Sequence, residues 1–121
     1  MNFMIILVLH DTETLDPVLS AWEESGVGGV TILPSTGLAR LRRRGGLAED
    51  LPLIPSIEDI MEHVQDTNRT LLTVVDGEEM VDRVKRATEA ITGPLDDPDT
   101  GIMIVLPTYA VYGLNRRDKT Q

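Results

Sequence analysis

Apolar residues along the chain fall into short segments of two kinds, which follow one another in a regular order. Phe3 to Leu9 is an unbroken apolar run, which is typical of a strand buried at the centre of a sheet. Further β-type segments occupy 28–34, 69–76 and 102–107, and residues 110–114 predict a short strand after them. The pattern therefore predicts four main strands and one short one.

The first helical segment lies between the first two strands. Its apolar residues recur at helical spacing and are Leu15, Val18, Leu19 and Trp22. Residues 11–16 offer candidates for the N-cap, Pro17 is compatible with a first turn, and Gly26 predicts the end of the helix.

The second helical segment follows the strand at 69–76. Asp76 and Glu79 have the spacing of a capping box, in which the two side chains satisfy backbone N–H groups at the start of a helix. Gly93 and Pro94 predict the end of this helix, and its inner stripe is predicted to consist of Val81, Val84, Thr88 and Ile91.

A third, shorter helix is predicted within the long insertion between the two halves of the chain. Ser56 is a candidate cap for a helix over 56–65, and one face of that helix carries Ile57, Ile60, Met61 and Val64. An apolar helix face has to be covered, so we predict that 56–65 packs on the protein body or on a neighbouring subunit. Residues 44–52 are then the part of the insertion that is predicted to be mobile.

The order of these segments gives two βαβ units of nearly equal length. This order predicts an α+β fold of the ferredoxin-like βαββαβ type, an antiparallel sheet with both helices on one face. The short helix in the loop after strand 2 and the short C-terminal edge strand are additions to it. A flavodoxin-like parallel sheet is the alternative, but four main strands and two main helices are too few for it.

The length and composition limit the class of protein. A chain of 121 residues corresponds to a single domain, 1–121, and the absence of Cys excludes disulfides, thiolate zinc sites and cysteine nucleophiles. The apolar run at 3–9 is too short to span a membrane and lacks the features of a signal peptide. We therefore expect a cytoplasmic protein with no membrane insertion.

The charge is negative overall, but the basic residues are concentrated. The net charge of −9 argues against general binding to nucleic acid, because that binding comes from neutralising phosphates. Seven of the eleven basic residues lie at 40–44 and 116–119. The stretch 35–55 has no aromatic residue that could stack on bases, so we expect no nucleic-acid partner.

The order of segments and several short motifs together resemble the P-II nitrogen-regulatory protein family. The stretch LDPVLSAWEESGVGGVTILPSTGLAR is similar to the first helix and second strand of that family, and Gly29, Thr31, Gly37 and Arg40 fall on its pattern in order. GIMIVLPTYAVYGL resembles the closing segment of the family, in which a glycine precedes a strand that ends in Pro. The resemblance covers most of the chain.

The resemblance implies a homotrimeric signal-transduction protein with a P-II-like domain. Members of the family bind adenine nucleotides and 2-oxoglutarate in clefts between subunits, and a loop after strand 2 reports the bound state to an enzyme or transporter. The ligand-binding residues that the resemblance implies here are Thr31, Gly37, Leu38, Arg40, Gly101, Asn115 and Arg116. The function implied is that of a small sensor in nitrogen regulation that binds an anionic ligand and regulates a partner.

The chain departs from the family where phosphates bind. Ile102 stands where the family has a Lys after the glycine, and the approach to it carries Asp96, Asp97 and Asp99. Carboxylates near a triphosphate repel it unless a metal intervenes. The reporter loop has no Tyr, which excludes the family's tyrosine modification there. An adenine nucleotide is therefore the cofactor that the family implies, but its phosphate-binding loop is degraded in this chain.

The arginine cluster allows more than one interpretation. Arg side chains can fork onto phosphate or carboxylate, but cations at the end of a helix also favour its dipole without any ligand. Placed at the root of the reporter loop, Arg40 is predicted to contact ligand. The neighbouring Arg42, Arg43 and Arg44 are predicted to form a partner surface.

The remaining chemistry-bearing residues favour a binding protein. His10 lies near Asp11, Glu13 and Asp16, a set that suits metal or acid–base chemistry, yet a His at a strand end is usually structural. The sequence LDDPDTG lacks the closing Glu of a calcium loop and favours a tight solvated turn. No Ser/His/Asp order or Walker loop is present, so we expect no enzymatic activity. The alternative is a trimer on the same fold that binds metal or another small molecule, resembling the CutA divalent-metal-tolerance family.

Overall fold

The protein is represented by a computed structural model, which describes residues 1–37 and 68–114. Within these ranges the elements follow the order βαββαβ. The strands are β1 (Asn2–Leu9), β2 (Thr31–Ser35), β3 (Asn68–Asp76) and β4 (Gly101–Pro107). The helices are α1 (Leu15–Ser25), preceded by one 3-10 turn (Thr12–Thr14), and α2 (Glu78–Thr92). The predicted ferredoxin-like α+β fold is confirmed.

The four strands form one antiparallel sheet in the order β2-β3-β1-β4. The central strand β1 pairs with β3 on one side and with β4 on the other, so that Leu7 lies opposite both Leu71 and Met103. β2 and β4 are the two edge strands. The first strand is therefore central, as its unbroken apolar sequence predicts.

The two helices cover one face of this sheet. Ile5, Leu7 and Leu9 alternate along β1 and are fully buried, because they point toward the helices. The rest of the buried apolar core consists of Val18, Trp22, Val27, Leu71, Val75 and Val84. Trp22 of α1 donates a hydrogen bond from Nε1 to Oγ1 of Thr88 in α2 at 2.8 Å. The helices are thus joined by a polar contact inside an apolar layer.

Helix α1 begins and ends where the sequence predicts. The Asp11 carboxylate accepts a hydrogen bond from the backbone N–H of Glu13 at 3.0 Å, which caps the 3-10 turn that leads into α1. Pro17 lies in the first turn, where its missing N–H needs no partner. Gly26 ends the helix with φ of 108°, a left-handed conformation that favours glycine.

Helix α2 begins differently from the prediction. Its N-cap is Gly77, with φ of 93°, and no side chain caps the helix, so the predicted capping box between Asp76 and Glu79 is wrong. Asp76 is still the last residue of β3, where its carboxylate lies 3.7 Å from the amino group of Met1. The chain turns into the helix one residue later than the spacing suggests.

The inner stripe of α2 is only partly as predicted. Val84 and Thr88 are buried and Val81 packs partly against the core, but Ile91 is 38 % exposed. Ile91 belongs to the last turn of the helix, which ends at Thr92. The apolar spacing therefore continues one turn beyond the part of the helix that the sheet covers.

Two strand predictions need correction. β2 starts at Thr31, three residues later than predicted, with Pro34 near its end on the sheet edge, where a missing N–H is tolerated. Residues 110–114 are irregular, so the predicted edge strand is wrong for the single chain. A strand requires a paired neighbour, and Tyr112 in this segment and Tyr109 just before it are almost fully exposed. The predictions for 44–52 and 56–65 lie outside the described residues.

The second face of the sheet is apolar but carries no helix among the described residues. The residues whose register places them on this open face include Met4, Ile6, Val8, Leu33, Leu72, Val74, Ile102, Ile104 and Leu106. Leu33 and the three residues of β4 are each more than 40 % exposed. The side under the helices is the covered face, and the opposite side is the open face.

Candidate functional site

Only part of the predicted ligand site lies in the described residues. Thr31 begins β2, Gly37 follows its end, and Gly101 begins β4. The other predicted site residues lie outside the described ranges and are Leu38, Arg40, Asn115 and Arg116. The predicted partner surface of Arg42, Arg43 and Arg44 also lies outside them.

Gly37 and Gly101 lie at the same end of the sheet but on opposite edges. Ser35 of β2 is paired with Asn68 of β3, and Leu9 of β1 is paired with both Arg69 and Gly101. Three strand spacings separate β2 from β4, which is about 14 Å at the usual distance between neighbouring strands. A single chain therefore does not bring these two glycines together around one small ligand.

Thr31 lies farther from this end of the sheet. It is paired with Leu72, whereas Ser35, four residues later on β2, is paired with Asn68. Four residues of a strand correspond to about 13 Å between Thr31 and Ser35. Its side chain is exposed on the open face. Thr31 therefore lies apart from both glycines within one chain.

Gly101 has a structural reason to be glycine. Its φ is 141°, and a Cβ atom at this position would lie 2.6 Å from the carbonyl oxygen of Val8. Real Cβ atoms do not approach backbone oxygen so closely, so any other residue would force β4 away from β1. The glycine that the family pattern assigns to a ligand is thus required by strand packing alone.

The acidic loop at 93–100 is a set of tight turns, which confirms that prediction. The N–H of Asp97 donates to the carbonyl of Pro94 at 3.0 Å, and the Thr100 hydroxyl donates to the carbonyl of Asp97 at 2.9 Å. Asp99 adopts φ of 64°, which Asp tolerates better than most residues. All three aspartates of the loop are exposed.

Glu89 of α2 fixes the start of this loop. Its carboxylate accepts a hydrogen bond from the N–H of Leu95 at 2.8 Å and one from Nζ of Lys85 at 3.1 Å. These two donors, the Leu95 N–H foremost, hold the pKa of the Glu89 carboxyl below its ordinary value of 4.5. The loop and the helix are therefore joined by a charge-assisted contact.

A groove of about 360 Å³ lies beside β4, where the loop meets the helix. It is lined by Lys85, Leu95, Asp96, Gly101, Ile102, Met103 and Val105. Of these residues, the sequence predicts only Gly101 as a ligand-binding residue. Lys85 and Glu89 have the i, i+4 spacing of an ordinary exposed ion pair on a helix, so the sequence alone carries no specific signal for this groove.

The opposite edge of the same end of the sheet is polar. The hydroxyls of Ser35 and Thr70 are 2.8 Å apart, and Asn68 is buried beside them. Oγ1 of Thr36, directly before Gly37, is buried and has no hydrogen-bond partner in the part of the chain that the structure describes. This edge thus offers hydroxyl and amide groups, together with one cation, Arg69, whose guanidinium donates to the carbonyl oxygen of Asn68 at 3.1 Å.

Two further kinds of site are absent from the described part of the chain. Within 1–37 and 68–114, no group of three or more His, Asp or Glu residues is placed to hold a metal ion. None of the helices in these ranges is long and apolar enough to cross a bilayer.

Comparison with known proteins shows similarity in structure alone. No family model matches the chain, and no curated protein matches its sequence. Among solved structures, the chain is similar to B. subtilis GlnK, which was solved in complex with ATP. The TM-score is 0.53 at 14 % identity, and the alignment covers 86 % of this chain and 78 % of GlnK. This likeness supports the P-II-like fold, and at this identity it shows the fold alone.

Proposed function

We propose that the protein is a P-II-like, non-enzymatic signal-transduction protein. In this proposal three copies assemble into a trimer, bind a small anionic ligand in the clefts between them, and regulate a partner protein. The observation that carries the proposal is the placement of Gly37 and Gly101 at one end of the sheet on opposite edges. The likeness to the fold of GlnK supports it.

The open face supports assembly. An exposed sheet face with Leu33, Ile102, Ile104 and Leu106 is costly to leave in water, because contact of apolar surface with water is unfavourable. Such a face marks an interaction surface in soluble proteins. A second and third copy of the chain would cover it, and both edge strands have a free side for pairing within the described residues.

The two edges of the sheet support a site between copies. In a closed ring, each copy meets its two neighbours with different edges of its sheet. The end of β2 in one copy then comes next to the start of β4 in another, which unites the two glycines that a single chain keeps about 14 Å apart. The cations of the proposed site are Arg40 and Arg116, with Leu38 and Asn115 beside them.

The ligand is proposed to be a nucleotide or an anionic metabolite. GlnK was solved with ATP, but Asp96, Asp97 and Asp99 of this chain stand exposed before Gly101. Three carboxylates disfavour a triphosphate more than they disfavour a ligand with one or two negative charges. A small dicarboxylate such as 2-oxoglutarate is therefore an equal candidate.

Two measurements test this proposal. Light scattering should give a mass about three times that of the 13.3 kDa chain, and a monomer at micromolar concentration would remove the basis of the intersubunit site. A thermal-shift screen should then find stabilisation by ATP, ADP or 2-oxoglutarate. Stabilisation by a divalent metal alone would favour the metal-binding alternative on the same fold.

The arginine cluster gives a sharper test of the ligand site. Arg40→Ala should weaken ligand binding about tenfold or more, because a charge-assisted hydrogen bond is lost. The triple change of Arg42, Arg43 and Arg44 to Ala should leave ligand binding within about twofold and weaken partner binding. Equal loss of ligand affinity in both variants would mean that the whole cluster clamps the ligand.

A further inference from the structure

We propose that the groove beside β4 binds a free α-amino acid with an apolar side chain, such as leucine or methionine. The groove is formed within one chain by Lys85 in the middle of α2, the loop at 93–100 and β4. It does not need a second copy, so this proposal does not rest on the assembly proposed above.

The size and apolar lining of the groove suit a small molecule. Its volume of about 360 Å³ falls in the range of 300–1,000 Å³ that is usual for small-molecule sites. Leu95, Met103 and Val105 provide its apolar wall. Val105 belongs to the covered face by register, yet it is 37 % exposed, so apolar surface remains uncovered here.

Lys85 provides a positioned cation. An ammonium group has three N–H donors, and Glu89 accepts one of them at 3.1 Å. The same carboxylate is held by the N–H of Leu95 at 2.8 Å, which ties the lysine to the loop that forms one wall of the groove. Two donors of Lys85 remain available, and a ligand carboxylate is the group that matches them best.

Asp96 provides the opposite charge. It lines the groove on the turn that the bond from Asp97 to Pro94 closes, and it has no partner of its own among the described residues. A ligand with only a negative charge would be repelled by Asp96, and one with only a positive charge would be repelled by Lys85. A zwitterion satisfies both groups.

An apolar α-amino acid combines these requirements in one molecule. Its ammonium and carboxylate are carried by one carbon atom, and its side chain is free to lie against Leu95, Met103 and Val105. The acidic body of the protein does not oppose such a ligand, because the net charge of the amino acid is zero. The described ranges carry nine more acidic than basic side chains, which would oppose a free anion in the same groove.

Calorimetric titration of the full chain tests the ligand class. Leucine, methionine and phenylalanine should each bind saturably with one site per chain. N-acetyl-leucine lacks the ammonium, leucinamide lacks the carboxylate and glycine lacks the side chain, so each should bind about tenfold more weakly or worse. If leucine and its two blocked forms bind equally, the groove recognises only the apolar part and the proposal is wrong. It is also wrong if no amino acid binds at millimolar concentration.

Paired variants test the residues. Lys85→Gln and Asp96→Asn should each weaken leucine binding about tenfold or more. The matched controls are Arg86→Gln, next to Lys85 but paired with Asp82, and Asp97→Asn, next to Asp96. Both controls should bind within about twofold of the parent. Equal loss in variants and controls would overturn the assignment.

The same samples keep the two proposals separate. Light scattering and the nucleotide screen report on the trimer and its clefts, whereas leucine titration reports on the groove. A monomer that binds leucine would support this inference and reject the assembly. A trimer that binds nucleotide and no amino acid would support the assembly and reject this inference.

Discussion

The two faces of the sheet are nearly equal in apolar character and unequal in burial. On the covered face, Ile5 and Leu7 are fully buried under the helices. One position along the same strand, Ile6 and Val8 face the other way and are only partly buried. On β4 the open face is more exposed still, with Ile104 43 % accessible.

The alternation of polar and apolar residues that burial on one face would require is absent from β1. A strand in an isolated two-layer domain alternates between apolar and polar residues, because one of its faces meets water. β1 is apolar at every position from Phe3 to Leu9, which is the pattern of a strand covered on both sides. The second layer therefore has to come from outside the described part of the chain.

The largest effect is expected on the covered face. Leu7→Ala should lower the free energy of unfolding by about 2–5 kcal/mol, because it removes a fully buried side chain and leaves a cavity. Chemical denaturation followed by circular dichroism measures it. Ile6→Ala, one position away on the open face, is the matched control and should cost clearly less in dilute protein. Equal costs at low concentration would contradict the distinction between the faces.

A smaller loss is expected from the polar contact between the helices. Thr88→Val removes the acceptor of the Trp22 indole N–H and should cost about 1–3 kcal/mol, because a buried donor is left without a partner. Denaturation curves give the cost, and the fluorescence of the single Trp reports the local change. Thr92→Val, at the end of the same helix, should cost less than about 1 kcal/mol.

On the open face the expected effect is on assembly. Ile104→Asp should change the stability of the monomer by less than about 1 kcal/mol, since the side chain is already partly exposed. It should nevertheless dissociate the proposed trimer, because a charge would be buried at the interface. Light scattering measures the mass, with Ile91→Asp on α2 as a control of similar exposure. A trimer that survives Ile104→Asp and not Ile91→Asp would place the interface on the helices.

The smallest effect is expected at the loop that borders the groove. The pKa of Glu89 is lowered in the folded protein, so its stabilisation is present above its ordinary pKa of 4.5 and is lost as the pH falls through the folded value. Glu89→Gln should lower the thermal midpoint slightly at neutral pH, where this stabilisation is present, and should make the midpoint less dependent on pH below about 4.5, where the stabilisation is lost in the parent protein. Glu79→Gln, on the exposed first turn of the same helix, serves as the control. An unchanged pH dependence in Glu89→Gln would remove the role assigned to this carboxylate.

Much of the fold was predictable because it depends on local chemistry. The spacing of Val18 and Trp22 gave α1, and Gly26 gave its end, since each signal acts within a few residues. The start of α2 was not predictable in the same way. Asp76 has the spacing of a cap, but the folded chain brings the amino group of Met1 next to it, which no local pattern reveals.

The site was less predictable than the fold, for a physical reason. The glycine at 101 matches a binding pattern, yet the carbonyl of Val8, more than ninety positions away in the sequence, is enough to require it. The lysine of the groove carries no motif and acquires meaning only through Glu89 and the turn at Leu95. The strand predicted at 110–114 failed because pairing is a property of two segments and not of one.

The place of β1 at the centre of the sheet also determines when the protein can fold. Its partners are far along the chain: Leu9 is opposite Gly101 and Phe3 is opposite Pro107. At about 5–20 residues per second, the ribosome needs roughly 5–20 s to make the hundred residues that separate them. β3, the other neighbour of β1, is made earlier, so during the last part of that time β1 can pair on one side only. Contacts of such long range also form slowly. One edge of the central strand therefore stays unpaired in the nascent chain until β4 has been made.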